Sequence, residues 1–286
     1  MNTGRVVLIT GTSSGIGLAA AVQAAQAGYT VVATMRDTTR SDALLKAAAE
    51  AGVTVDVRRL DVTDPESVAA CVTAVADSYG RLDALVNNAG RANTFATIET
   101  CDLATYREVI EVNFLGVVAV TRAGLPHLRA AGGRIVTVGS TRGLIGQPFN
   151  EGYSAAKFAV EGFMESLAPT AAGMGVRVVM VEPGPVFETA FGANSGLTRE
   201  SLLTEAGPYR RVLEPYLDWV ARGAHPGAQT GREIAEHIVT ALTDPEPPFR
   251  VLTSDWAREY TAIKYTDPEG GRVRAMTASW LAREED

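Results

Sequence analysis

Short β-branched runs alternate along the chain with longer alanine-rich stretches in which apolar positions recur every three to four residues. The runs predict strands at Arg5–Thr10, Thr30–Thr34, Thr54–Leu60, Ala84–Val86, Gly133–Gly139 and Val176–Val181. The stretches between them predict helices near 16–28, 41–51, 66–79, 104–130 and 152–173. Strands alternating with helices are βαβ units, which build a parallel sheet covered on both faces. Right-handed crossovers then predict an α/β, doubly wound Rossmann fold: a single parallel sheet of about seven strands with helices on both faces.

After Val186 the pattern loosens. Large apolar residues are scattered over 187–228 (Phe187, Phe191, Leu197, Tyr209, Tyr216, Trp219), followed by a helix at Gly231–Leu242 and a short strand at Phe249–Leu252. Open α/β sheets bind ligands at the carboxyl ends of their strands. The insertion therefore reads as a substrate lid, with a purely structural excursion as the other reading. One domain over 1–286 is expected, divided into a cofactor-binding and catalytic core (5–186), the lid (187–228) and a C-terminal helix, strand and tail (229–286).

Composition narrows the function classes. The 286 residues carry a net charge of −7, with 46% hydrophobic and 21% charged residues. That balance argues against nucleic acid or an anionic membrane as partner. The only cysteines, Cys71 and Cys101, each assigned to a predicted helix, make neither a disulfide framework nor a metal-ligand spacing, so no metal site is expected. Val6–Ile9 runs directly into a glycine turn and reads as a strand rather than a signal core. No apolar run approaches the ~20 residues a bilayer requires, and a cytoplasmic protein is expected.

The first strand runs into Thr10-Gly11-Thr12-Ser13-Ser14-Gly15-Ile16-Gly17 and then a helix. Glycines here allow a tight turn and close approach to a pyrophosphate, and free amides at the helix start hold phosphates. NAD-binding sites commonly place an acid at the end of strand two. Here that strand ends Met35-Arg36; Met35 in the acidic slot cannot repel a 2′-phosphate, and Arg36 can pair with one. The pair points to NADP(H), against a reading of Arg36 as a solvated surface charge.

Tyr153 and Lys157 stand four residues apart on one predicted helix and are therefore neighbours on its face. A cation beside a phenol lowers its pKa from about 10 toward the range where acid–base catalysis works. The same spacing recurs at Tyr260 and Lys264, which read as an ordinary amphipathic tail helix. What distinguishes Tyr153 is its surroundings: the preceding strand ends in Ser140, at the carboxyl edge of the sheet. Asp61-Val62 and Asn87-Asn88-Ala89-Gly90 end strands three and four at the same edge. Asn113 interrupts the apolar stretch of a long helix; it is either a surface residue or a buried amide in a polar relay near Lys157. Pro183-Gly184-Pro185-Val186 forms a turn able to present amides to a nicotinamide carboxamide.

In combination and in order, these motifs resemble the short-chain dehydrogenase/reductase family in its compact branch, strongly over 5–186 and weakly beyond. The resemblance implies that Tyr153 is the proton donor and that Lys157 lowers its pKa and holds the ribose. It implies that Ser140 steadies the carbonyl, that Asn113 holds a relay water, and that Asp61 and Asn88 flank the adenine side. Cofactor contacts would come from Gly11, Ser13, Ser14, Gly15, Ile16, Gly17, Arg36, Asp61, Val62, Asn88, Ala89, Gly90, Tyr153, Lys157, Pro183, Gly184 and Val186. Ala33–Asp37, Gly143–Asn150, Lys157–Gly162 and Glu182–Val186 resemble its hydroxysteroid and retinol dehydrogenase branch, implying NADP(H) and a small hydrophobic carbonyl or alcohol substrate. Phe187-Glu188 precede Thr189, leaving open which of Glu188 and Thr189 meets the nicotinamide amide. A homodimer or homotetramer is implied, although Pro169 in the catalytic helix tends to kink it. A nucleotide-sensing regulator of the same fold and a sugar-nucleotide epimerase or dehydratase are the competing readings.

Overall fold

The computed structural model describes residues 4–91, 98–187, 198–221 and 227–282. The strands are β1 (Val6–Thr10), β2 (Thr30–Met35), β3 (Asp56–Arg59), β4 (Ala84–Asn87), β5 (Arg134–Val138), β6 (Arg177–Glu182), β7 (Val186–Phe187), β8 (Gln229–Thr230) and β9 (Arg250–Leu252). The α-helices are α1 (Gly15–Gln26), α2 (Asp42–Glu50), α3 (Pro65–Tyr79), α4 (Leu103–Ile110), α5 (Gly116–Ala131), α6 (Glu151–Ala172), α7 (Arg199–Glu205), α8 (Arg210–Ala221), α9 (Gly231–Thr243), α10 (Asp255–Tyr265) and α11 (Gly271–Ser279). Seven strands form one parallel sheet in the order β3-β2-β1-β4-β5-β6-β9. The order reverses between β1 and β4, the position where doubly wound sheets open a ligand crevice.

Both sheet faces are covered. One apolar cluster joins β1, β2, β4, β5 and β6 to α1 and α9 through Val7, Ile9, Ala20, Ala24, Val136, Ile234 and Ile238; the other joins Leu8, Leu85, Ile135 and Met180 to α3, α5 and α6 through Val72, Val120 and Met164. Strands buried on both faces need apolar residues at nearly every position, which is why β1 reads VVLIT without alternation. Asp64 caps α3 by accepting from the amides of Glu66 and Ser67, and Pro65 at the first helical position carries no amide to satisfy.

Several expectations change. The stretch expected as one helix over 104–130 contains a π-helical turn, Glu111–Leu115, between α4 and α5. The continuous helical run Leu103–Ala131 is long and apolar enough to cross a membrane on length and composition, contrary to the reading that no such stretch exists. In this fold it packs on α3, α6 and β4. Cys101 precedes α4 rather than lying in a helix. Residues 198–221 are largely helical, and with Phe149 and Trp280 they form a third apolar cluster around the fully buried Tyr216. α6 continues through Pro169 to Ala172, so the proline does not end the helix. Phe191, Leu197, Glu188 and Thr189 lie outside the described residues.

Candidate active site

The glycine turn is built by close approach. A Cβ on Gly17 would fall 2.2 Å from the Gly11 carbonyl oxygen, and one on Gly11 would fall 2.7 Å from Ala89 Cα, so the turn folds directly against the loop after β4. Gly11 and Gly15 adopt φ of +71° and +58°, which favours glycine at both. The Asn88 amide donates to the carbonyls of Thr10 and Gly11 at 2.9 and 3.0 Å, and the Thr10 hydroxyl accepts from the amides of Asn88 and Ala89. The side chain of Asn88 is therefore committed to holding the turn. Ser14 begins α1 without a side-chain cap, and no acidic residue occupies the first turn. That leaves an electropositive helix start lined by Ser13, Ser14, Ile16 and Gly17, a fit for a pyrophosphate.

At the tip of β2 the structure corrects the sequence reading. Met35, expected in the slot at the end of this strand, is buried in the core. Arg36 beside it is exposed. Across the tip, burial works against the charged form of Asp61, yet hydrogen bonds from the Thr63 amide and hydroxyl, with Arg36 and Arg59 nearby, hold its carboxyl below the ordinary range. Val62 packs beside it against Gly116, where a Cβ would meet its side chain at 2.8 Å.

The catalytic candidates converge at the carboxyl ends of β5 and β6. Ser140 starts a 3₁₀ turn, Thr141–Gly143, its hydroxyl accepting from Arg142 N–H at 3.2 Å, and it lies near enough to Tyr153 of α6 to favour the anionic phenol. The two backbones are stitched together here: Gly139 N–H donates to Val181 O and Thr141 N–H to Pro183 O. Lys157 is buried, its Nζ donating to Val138 O at 2.8 Å and lying 5.8 Å from the Tyr153 ring centre. Burial pushes the Tyr153 phenol up to about 12, against the opposing effects of Arg142 and Ser140. The expected lowering by Lys157 is absent from that balance; the ammonium is bonded instead to Val138 O. Lys157 itself falls to about 8 through burial, opposed by Glu182.

Asn113 is fully buried. Its Oδ1 accepts from Arg91 N–H at 3.0 Å, and its amide donates to Arg91 O and Val109 O at 2.9 and 3.0 Å. It closes the loop that follows Gly90 onto the π-helical turn.

Sequence reasoning missed an aromatic wall above this edge. The Phe149 ring lies tilted against Tyr216 at 5.2 Å; Trp219 lies 4.4 Å from Trp280, and Tyr260 4.7 Å from Trp256. Trp256 also covers the Pro183-Gly184-Pro185-Val186 turn, 3.0 Å from where a Gly184 Cβ would stand. The signal was the density of aromatics in α8, α10 and the residues after α11, elements that lie far apart in sequence. Phe149 takes φ of +58°, a left-handed conformation that costs a non-glycine residue about 1 kcal/mol or more.

A Rossmann sheet with a glycine turn at its switch point and a Ser–Tyr–Lys group at its carboxyl edge defines a nicotinamide-dependent oxidoreductase. The short chain dehydrogenase family model matches residues 5–200, and the chain belongs to that family. Among curated relatives, retinol dehydrogenase 8 of Bos taurus is 40% identical over 93% of this chain and 86% of its own length. The 17-beta-hydroxysteroid dehydrogenase type 1 of Homo sapiens is 37% identical over 95% and 84%. A metagenomic short-chain oxidoreductase solved in complex with NADP matches with a TM-score of 0.68 and 26% identity, over 87% of this chain and 96% of that one. Another solved neighbour, at 24% identity, carries NAD.

Proposed function

We propose that this chain is an NADP(H)-dependent oxidoreductase interconverting a hydrophobic cyclic ketone and its secondary alcohol, with Tyr153 as general acid/base. The observation that carries this reading is the placement of Ser140 beside Tyr153 at the carboxyl end of β5, backed by buried Lys157. A bound nicotinamide dinucleotide supplies or accepts the hydride. Amides of Ser13, Ser14, Ile16 and Gly17 would hold its pyrophosphate. Asp61, Val62, Ala89 and Gly90 would flank the adenosine. Lys157 would hold the second ribose, and the backbone of Pro183, Gly184 and Val186 the carboxamide.

In this reading Ser140 donates to the substrate oxygen and orients it, while Tyr153 delivers the proton during reduction and withdraws it during oxidation. Buried Lys157 favours the anionic phenol once the ammonium and phenol draw together. Arg36 supports the choice of NADP(H), since an exposed guanidinium at the end of β2 suits a 2′-phosphate. The aromatic wall supports a bulky hydrophobic substrate beneath a lid spanning 187–228, in keeping with the retinol and hydroxysteroid names of two relatives.

The test is oxidation of NADPH and of NADH against cyclic ketones ranging from cyclohexanone to steroid size. The expected result is turnover of the larger ketones with NADPH strongly preferred. Absence of turnover on every ketone, or equal use of NADH, would contradict the reading.

A further inference from the structure

Behind Tyr153 and Lys157 lies a water-excluded group of charges to which the reaction above gives no part. Glu182, the last residue of β6, is completely buried, and its Oε2 accepts from the backbone N–H of Ser140 at 2.6 Å. Among the described residues its Oε1 receives no hydrogen bond. That carboxyl fills the space beneath Gly139, where a Cβ would fall 2.0 Å from Oε1. The polar group in contact with it is a second buried carboxyl, Glu161 of α6. Glu161 is held by Arg250 of β9 through two bonds of 2.6 and 3.1 Å, and Arg250 also reaches Glu165 at 3.3 Å. Two carboxyl groups buried side by side are not both ionised. Arg250 bonds Glu161 and makes no ion pair with Glu182, which leaves Glu182 as the carboxyl that carries the proton. The other charged or titratable groups near Glu182 are Lys157 and Tyr153 of α6, Arg250 of β9 and Tyr265 of α10.

We propose that Glu182 is a positioning residue acting as a neutral acid: it accepts from Ser140 N–H, donates its proton to Glu161, and leaves the charge of Lys157 uncompensated toward Tyr153. An ionised Glu182 would instead pair electrostatically with Lys157 and oppose formation of the Tyr153 anion. Burial, first, and then the adjacent Glu161 push the Glu182 carboxyl well above the usual carboxylate range, while burial brings Lys157 down to about 8. One proton is therefore lost from the pair in the alkaline range, from either site. Its loss ends the state in which Lys157 can assist Tyr153.

The proposal rests on the assignment of Tyr153 and Lys157 to the reaction, and its test has one arm that does not. Infrared spectra of the purified protein at neutral pH should contain the C=O stretch of a protonated carboxylic acid that is lost in Glu182→Gln. A spectrum in which that variant removes no such band overturns the proposal whatever the enzyme turns over. In kinetics with NADPH and a cyclic ketone, Glu182→Gln keeps both hydrogen bonds and removes one of the two sites able to release the proton. The alkaline limb of its kcat profile should therefore move to higher pH. A limb that stays in place, or moves to lower pH as expected on removing an ionised partner of Lys157, overturns the proposal. Should this variant not accumulate as folded protein, Glu161→Gln answers the same question. Loss of the Glu161 charge should make the protonated-acid band disappear at lower pH than in the wild type, and an unmoved band is the contrary result.

Discussion

Two helices of this chain carry a tyrosine and a lysine four residues apart, and they have different surroundings. On α6, Tyr153 lies beside Ser140, and Lys157 is buried with its ammonium on Val138 O. On α10, the Tyr260 hydroxyl is buried without a partner, its ring stacks on Trp256, and Lys264 lies 4.1 Å over the Phe158 ring. Helical spacing alone places phenol and amine on one face. Chemistry requires in addition a strand end that supplies a hydroxyl and a carbonyl, and a second strand that locks that end in place. The α10 copy has neither; its tyrosine serves the aromatic wall, and its lysine covers a ring.

The comparison can be broken at several points. The largest loss away from the two tyrosines is expected at Gly17→Ala, since the new Cβ would meet backbone at 2.2 Å. Titration with NADPH should show binding lost or weakened by well over tenfold. Gly162→Ala on α6, with open space around it, should bind normally and gain about 0.5–1 kcal/mol of stability by urea unfolding. Ser140→Ala removes the hydroxyl beside Tyr153 and should lower kcat by about 10²–10³, the usual worth of one donor at a reacting oxygen, with cofactor affinity retained.

Arg36→Ala should reduce the NADPH-to-NADH preference in kcat/KM by about tenfold to a hundredfold, the value of one charged hydrogen bond. Met35→Asp, by contrast, should act mainly on stability, because it places a carboxylate in the core. The smallest effect belongs to the α10 copy: Tyr260→Phe removes an unpartnered buried hydroxyl and should leave thermal stability unchanged or raised by about 1 kcal/mol.

The alternation of strands and helices was legible because each βαβ unit buries a continuous apolar run between polar turns. The first six strands lie within two residues of their expected limits at either end. The glycine turn, Ser140, Tyr153 and Lys157 were legible for a similar reason: each sits at a strand end or helix start, where local sequence dictates the backbone. The orientation of Met35 was not. β2 is buried on both faces from Val31 to Met35, so no polar alternation reveals which side each residue takes. Asn113 was legible as a buried amide but not as the partner of Arg91, since that contact depends on a π-helical turn. Glu182 carried no local signal at all, because its partners come from α6, the end of β5 and β9, and only the assembled sheet edge brings them together. The aromatic wall is distributed in the same way, over Phe149, Tyr216, Trp219, Trp256, Tyr260 and Trp280.

The central claim is that surroundings, rather than spacing, make one tyrosine–lysine pair catalytic. It is tested most directly by measuring kcat for Tyr153→Phe and Tyr260→Phe side by side, with NADPH and a cyclic ketone that the wild type turns over. A general acid contributes about 10²–10⁴ in rate, so Tyr153→Phe should lose that factor, while Tyr260→Phe should stay close to the wild type. Turnover by Tyr153→Phe equal to the wild type, or equal losses in the two variants, would contradict it.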